Sequence, residues 1–506
     1  MKILKHLCIA LSVSFFFGSV NAQKWHESDI IVTSNGVGYS SSFSSNGSIL
    51  AVSNSSKLKK VRVFRKLNGK WVQIGEDVDY GNVVALSGDG RTVAIALPTG
   101  NTNDQGNVVI YKNVNNAWTR ISLKVKFIND QGNADVQPKD YFGRSIALSD
   151  DGSILAIGAS QTGEKEGYVK IFQNTNDQYV QIGSTIVGEA GGDFFGYSIS
   201  LSGDGSIVAV GAPGNDDNGE DAGHVKIFKY INDNWTQIGS NINGEAATDV
   251  FGISVSISSD GNIVAIGAPG NDNNGENSGQ VRIFEHSNGV WTQKGSELNG
   301  KKDGQEFYGL GIQVALSGDG KTVVALDEEH FGYGIINVFT YKWENGAWLK
   351  LEDIYNLYDD NFAISNGVRT GELSSISIDD KGEILAVGIP SGQFSTAGFP
   401  LDGLDPNDIM DKALLLYELK EVNNMNNLTQ TTTSIYPNPT LDLIYLDLSP
   451  ECLGEKYEVF NKSGELLLKG KIQGPNTVVD LADLPEGCYL ISIGEKVSQT
   501  IKVLKK

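Results

Sequence analysis

The feature that most constrains this chain is that it repeats itself. Residues 196 to 239, GYSISLSGDGSIVAVGAPGNDDNGEDAGHVKIFKYINDNWTQIG, are written again with few changes at 252 to 295. A fixed period of this kind means that one small unit has been copied and stacked, so the repeat has to be understood before domains are counted. Aligned on the glycine after the first apolar run, there are seven copies, at Gly47, Gly90, Gly152, Gly205, Gly261, Gly320 and Gly382.

Each glycine lies between two alternating runs, such as SISLS or QVALS before it and TVAIA or IVAVG after it. Period-two alternation around an Asp-Gly pair predicts a β-hairpin, because glycine accepts the positive φ of a tight turn. A third strand recurs as VRVF (61–64), VVIY (108–111), VKIF (169–172), VKIF (225–228), VRIF (281–284), INVF (336–339) and LLLY (414–417). A fourth begins at Trp71, Trp118, Tyr179, Trp235, Trp291 and Trp348, and the seventh copy lacks one. Lys24-Trp25 followed by DIIV supplies one unmatched strand of that type near the N-terminus.

Four antiparallel strands per copy, with a spare strand at one end and a vacancy at the other, predict an all-β chain. The expected fold is a seven-bladed β-propeller over residues 23–420, closed by its own N-terminal strand. Closure removes the exposed strand edges that would pair with other chains. A linear solenoid is the alternative, but it would need capping repeats and leaves the vacancy unexplained.

Successive connections in such a sheet alternate between its two ends. The loops GNDDNGEDAG (214–223) and GNDNNGENSG (270–279) therefore share an end with the crossovers GEAGGD (188–193), GEAATD (244–249) and KKDGQE (301–306). Long acidic loops on a rigid scaffold are where recognition is expected. Asp216, Asn218, Glu220 and Asp221, and in the next copy Asp272, Asn274 and Glu276, could offer a calcium ion several oxygens. The same residues read more simply as Asn-Gly turns in solvated loops, with acids for solubility. Asp79, Asp140, Asp193, Asp249 and Glu306, each just ahead of a glycine, read as crossover caps, and the recurring tryptophans as packing between blades.

Catalytic machinery is not legible. His26, His224, His286 and His330 show no zinc-ligand spacing, and no Gly-x-Ser-x-Gly elbow is present. Residues 318–322, GDGKT, imitate the end of a phosphate loop, but a strand rather than a helix follows. Paired carboxylates for glycosidase chemistry stay open, since their separation is unreadable in a sequence. No catalytic residue and no cofactor other than calcium is assigned. The expected function is non-enzymatic binding or adhesion of an extracellular glycan or protein. A polysaccharide-active hydrolase or lyase and a structural cell-envelope component are the alternatives.

The sequences FGYSISLS…GAP (195–213), FGISVSIS…GAP (251–269) and FGRSIALS…GAS (142–160) resemble the FG-GAP repeat of integrin α-subunit propellers and of many bacterial secreted proteins. The resemblance implies a seven-bladed propeller used in extracellular recognition. The acidic calcium loop of that family is replaced here by a short Ser-Gly-Asp-Gly turn, so its metal site does not carry over. Asp89, Asp151, Asp204, Asp260 and Asp319 are expected to be turn residues.

The ends of the chain read as addresses. Residues 1–22 combine Lys2 and Lys5, an apolar core and Val20-Asn21-Ala22, the pattern of a cleaved secretory leader. Removing those two lysines takes the net charge from -21 to -23 (-21 - 2). That sign argues against nucleic acid as a partner, and no later run is long enough to insert into a membrane. After a polar linker at 421–433, residues 434–506 read as a small β-sandwich. Tyr436-Pro437-Asn438-Pro439, Asn461-Lys-Ser-Gly464, Leu484-Pro485-Glu-Gly487 with Tyr489, and the closing Lys502-Val-Leu-Lys are similar as a set to the type A sorting domain of the type IX secretion system. That resemblance implies passage through the periplasm to the cell surface or beyond, with the secretion machinery and a sortase-like peptidase as partners. Cys452 and Cys488 are either a disulfide or two buried thiols.

Overall fold

The computed structural model describes residues 23–32, 38–54, 60–79, 81–98, 106–122, 140–160, 166–300, 309–329, 335–351, 375–389, 413–421, 434–436, 443–447, 455–461, 466–472, 476–485, 487–493 and 499–505. The leader, the linker from 422 to 433, the segment KKDGQE, Pro437 to Pro439 and Cys452 lie outside them. The chain divides into two units, one spanning Ala22–Glu421 and the other ending at Lys506.

In the first unit the hairpins form where the alternating runs place them. The fourth copy is a sheet ordered Ser198–Leu201, Ile207–Ala212, His224–Ile231, Asn234–Gln237 from the inside outwards. Among the described residues there are seven such sheets. Their innermost strands are Ser40–Phe43, Val83–Leu86, Phe142–Leu148, Ser198–Leu201, Ser254–Ile257, Gln313–Leu316 and Ser375–Ile378. Each packs on the next, and the last returns to the first. The N-terminal strand Gln23–Val32 completes the last sheet, antiparallel to Ala413–Glu421, with Glu27 opposite Tyr417 and Ile31 opposite Leu414. The unit is a propeller, and its last strand runs through Glu421, one residue past the expected boundary.

One element differs from the expectation. Val78–Asp79, Ile186–Gly191, Ile242–Asn243 and Leu298–Asn299, which the sequence does not mark as strands and of which 188–191 read as crossover, pair with the third strand of their own blade. The reason is length. The third strand His224–Ile231 has 8 residues and the outermost Asn234–Gln237 only 4, so half of the third strand would be an open edge. The chain leaving the outer strand covers it.

The second strand of each blade is buried on both faces, as in IVAVGA, because neighbouring blades sandwich it. Ile154, Ala156 and Ile171 of one blade thus share a core with Ile199, Val208 and Val210 of the next.

Two sets of polar contacts lock blade to blade. At the tight-turn end the backbone passes one hydrogen bond from each turn to the next: Ser45 N–H to Gly88 O, Asp89 to Asp150, Asp150 to Gly203, Gly203 to Ser259, Ser259 to Gly318, Asp319 to Asp380, and Asp380 back to Ser45. Towards the rim, the indole N–H groups of Trp118, Trp235, Trp291 and Trp348 donate to carbonyls of the preceding blade, those of Ile74, Ile182, Ile238 and Lys294. Each ring rests on the glycine that follows. At Gly239, with φ of +74°, a Cβ would stand 2.6 Å from Trp291 Cδ1. Gly239→Val is therefore expected to cost about 2–4 kcal/mol, whereas Gly289→Ala, with φ of +82° and open space around it, should cost only the backbone strain of about 1–2 kcal/mol. Urea denaturation midpoints of the two variants check the contrast.

Within the turns, Ser202 Oγ donates to Asp204 Oδ1 (2.6 Å) and accepts from Ile207 N–H (3.0 Å), and Asp204 accepts from Ser206 N–H (2.9 Å). Burial alone would raise the carboxyls of Asp151, Asp204 and Asp260, but the serine and backbone donors together outweigh it and hold them below the usual range. Asp380 behaves oppositely. Burial, joined by the nearby charge of Asp150, pushes its carboxyl up despite donors from Ser45 and Ser259. The stability such a group contributes is complete below the ordinary aspartate range and is lost as pH rises through its raised value. Asp380→Asn should thus raise the denaturation midpoint at neutral pH, by less than about 1 kcal/mol after solvent screening. The gain should vanish near pH ~3, where aspartate itself is protonated.

In the second unit, a sheet of Ser434–Tyr436, Leu443–Asp447 and Asn476–Asp480 shares a core with a sheet of Leu466–Lys471, Lys456–Phe460, Gly487–Ile493 and Gln499–Lys505. Ile444, Leu446 and Val479 of one pack with Val459, Ile491 and Val503 of the other. Among the motif residues, Tyr489 is buried and its hydroxyl donates to Pro485 O. Lys502 pairs with Leu490 and Cys488 with Leu504 in the strand ladder. The closing Lys505 is also buried, and its ammonium donates to the carbonyls of Leu481, Ala482 and Leu484 at 2.8, 2.9 and 2.8 Å. The Leu484-Pro485 turn is thereby tied to the last strand.

Candidate ligand-binding face

The FG and GAP residues are the joints on which the loop end is built. Phe195 and Phe251 are buried, and the glycine after each takes a positive φ, +85° at Gly196 and +91° at Gly252. The carbonyl of Gly252 points into the preceding blade, where a Cβ on Gly211 would lie 2.0 Å from it, and it accepts from Ser198 Oγ at 2.7 Å. Gly158 receives the carbonyl of Gly196 in the same way. Glycine is required here by a close approach of backbone to backbone.

Above these joints the 2–3 loop and the crossover of each blade are bonded together. Thr248, Val250 and Phe251 N–H donate to the carbonyls of Glu220, Asp221 and Ala222, and Gly244 N–H to that of Gly223. Asn218 Nδ2 donates to Gly244 O at 2.6 Å, and in the next blade Asn274 Nδ2 to Gly300 O at 2.6 Å. Asp249 is 2% exposed and accepts from Glu245 N–H, Ala246 N–H and Asn271 Nδ2 at 3.0, 3.1 and 3.1 Å. Asp193 accepts from Asn215 Nδ2 at 3.0 Å. These acids fasten a crossover to the following loop. Asp249→Ala leaves three donors unmatched and is expected to cost about 2–3 kcal/mol, read as a lowered denaturation midpoint. The backbone amides of 245 and 246 should lose hydrogen-exchange protection in the same variant.

The residues proposed from sequence as calcium ligands are all on this end and exposed. Asp216 Oδ1 accepts from Asp221 N–H at 2.9 Å and Asp272 Oδ1 from Asn277 N–H at 2.7 Å, so each closes its own loop. Asn218 and Asn274 spend their amides on crossover carbonyls. What converges is a different set. Among the described residues, the one group of three or more His, Cys, Asp or Glu side chains whose ligand atoms lie within 4.8 Å of one another is Glu189, Asp217 and His224. His224 is 1% exposed, and its Nδ1, with no hydrogen-bond partner, lies 3.7 Å from Asp217 Oδ2. Burial, and after it the Lys226 ammonium, push the imidazole pKa down. Lys226 Nζ is 2.5 Å from Glu189 Oε1, and this contact holds the Glu189 carboxyl below its usual range. Sequence reasoning missed the set because its members come from two blades, and the lone histidine has no sequence neighbour to pair with.

The FG-GAP repeat family model matches residues 188–228 and 243–284, and the model of the secretion system C-terminal sorting domain matches 434–506. The chain carries FG-GAP repeats and a type IX sorting domain. That domain directs the protein to the cell surface or out of the cell through the type IX machinery, and no helix among the described residues is long and apolar enough to cross a membrane. Comparison with curated proteins gives no match. Among solved structures, a chain of Kuenenia stuttgartiensis hydrazine synthase is similar over 71% of this chain and 94% of its own, with 14% identity and a TM-score of 0.45.

Proposed function

We propose that the protein is a non-enzymatic binding propeller, displayed on the cell surface or released, which takes an extracellular protein or glycan on the loop end of its fourth and fifth blades. One observation carries this reading. Exposed Asp216, Asp217, Glu220, Asp272 and Glu276 project from loops, and exposed Glu245 from a crossover, that are hydrogen-bonded to one another. The surface is thus acidic, continuous across two blades and held before any ligand arrives, which lowers the ordering cost of binding. Tight turns crowd the other end, where the axial hydrogen-bond ring leaves little to vary. In this reading the sorting domain is an address removed by a sortase-like peptidase, and the propeller alone acts.

Arrays of glycans and matrix proteins probed with the full chain test it. Binding should weaken with salt and fall by about tenfold or more in the D216N/E220Q/D272N/E276Q variant. Binding indifferent to these four changes, or release of soluble sugar from a polysaccharide by the wild-type protein, would overturn it.

A further inference from the structure

We propose that His224, Asp217 and Glu189 form a binding site for a divalent transition-metal ion of the zinc type, between the third and fourth blades. His224 opens the third strand of blade four, Asp217 lies in that blade's 2–3 loop, and Glu189 is in the short strand Ile186–Gly191 that covers blade three. A buried imidazole nitrogen with no partner is costly unless something occupies its lone pair. Here that nitrogen lies 3.7 Å from Asp217 Oδ2, and the imidazole, Asp217 and Glu189 bring ligand atoms within 4.8 Å of one another, the two carboxylates being half exposed at 50% for Asp217 and 51% for Glu189. One imidazole and two carboxylates suit zinc, whereas calcium prefers oxygen ligands alone. Zinc bonds of about 2.0–2.2 Å place tetrahedral ligands about 3.3–3.6 Å apart. The observed separations, up to 4.8 Å, close to that with small rotations of the two exposed carboxylates. Lys226, beside Glu189, opposes a cation, so all three ligands are needed to hold one. Three protein ligands leave a fourth position open to solvent.

The next blade provides an internal comparison. Fifty-six residues on (245 - 189, 273 - 217, 280 - 224, 282 - 226), the same four positions hold Glu245, Asn273, Gln280 and Arg282. There Asn273 Nδ2 donates to Glu245 Oε2 at 2.8 Å, and Gln280 Nε2 donates to Asn299 Oδ1 at 3.2 Å. In blade five amide contacts stand where blade four has acid and imidazole, although Gln280 Oε1 is also without a hydrogen-bond partner.

The test is calorimetric titration of the full chain, stripped with chelator, with zinc chloride and no other ligand. One equivalent should bind, and His224→Gln and Asp217→Asn, which place blade five's residues in blade four, should each weaken that equivalent by about tenfold to a hundredfold. Their unfolding transitions without zinc verify that both variants are folded. Because His224→Gln alters a buried residue, Glu189→Gln on the exposed side serves as a third variant with the same expectation. No zinc equivalent in the wild-type protein, or one that survives all three substitutions, would remove the proposal. Either result leaves the array binding of the acidic loop end untouched, so the two readings fail separately.

Discussion

Everything in the propeller depends on a backbone relay. Each axial turn passes a hydrogen bond to the next blade, and the seventh, from Asp380 to Ser45, returns it to the first. Those two turns are joined only by contacts between the start and the end of a 400-residue unit, from Ala22 to Glu421. Folding must therefore meet the entropic cost of a very long loop before the relay closes. The N-terminal strand against Ala413–Glu421 offsets that cost by satisfying a full strand edge at once.

Where backbone meets backbone the sequence has little freedom, and this is why it is readable. Gly211 and Gly158 accept a carbonyl that a Cβ would displace, and Gly239 accepts an indole. The hairpins, the third strands and the role of Trp25 all follow from alternation and turn chemistry, which are local. The short strand at Ile186–Gly191 was not legible, because it exists to cover the unpaired half of another strand. Its own residues, IVGEAG, carry no strand pattern of the usual kind. The tryptophans were legible as packing, but the carbonyl each one reaches is in another copy and cannot be read from spacing.

The same distinction separates the two kinds of acid on the loop end. Asp193 and Asp249 are buried, receive donors, and recur because the joint they fasten recurs. Asp216 and Asp272 are exposed yet also close turns, so their carboxylates serve the loop before they serve any ligand. The sequence already separates them, Asp193 and Asp249 reading as crossover caps and Asp216 and Asp272 as loop acids, but it does not show that the backbone engages both kinds. An acid at a repeated position is first a structural element. A side chain that breaks the repeat is the one to examine for function.

His224 breaks it. The relay and the glycine joints fix the inner strands of neighbouring blades in one frame, on which the side chains of two blades can differ. The pairing of Val210 with Lys226 and of Gly211 with Val225 in blade four is matched by Ile266 with Arg282 and Gly267 with Val281 in blade five. On that shared ladder, glutamine turns its amide nitrogen to a neighbouring asparagine, while the histidine nitrogen lies 3.7 Å from Asp217, in the cluster with Glu189. The ladder of second and third strands is the same in both blades, while the covering strand that carries Glu189, Ile186–Gly191, is longer than its counterpart Ile242–Asn243.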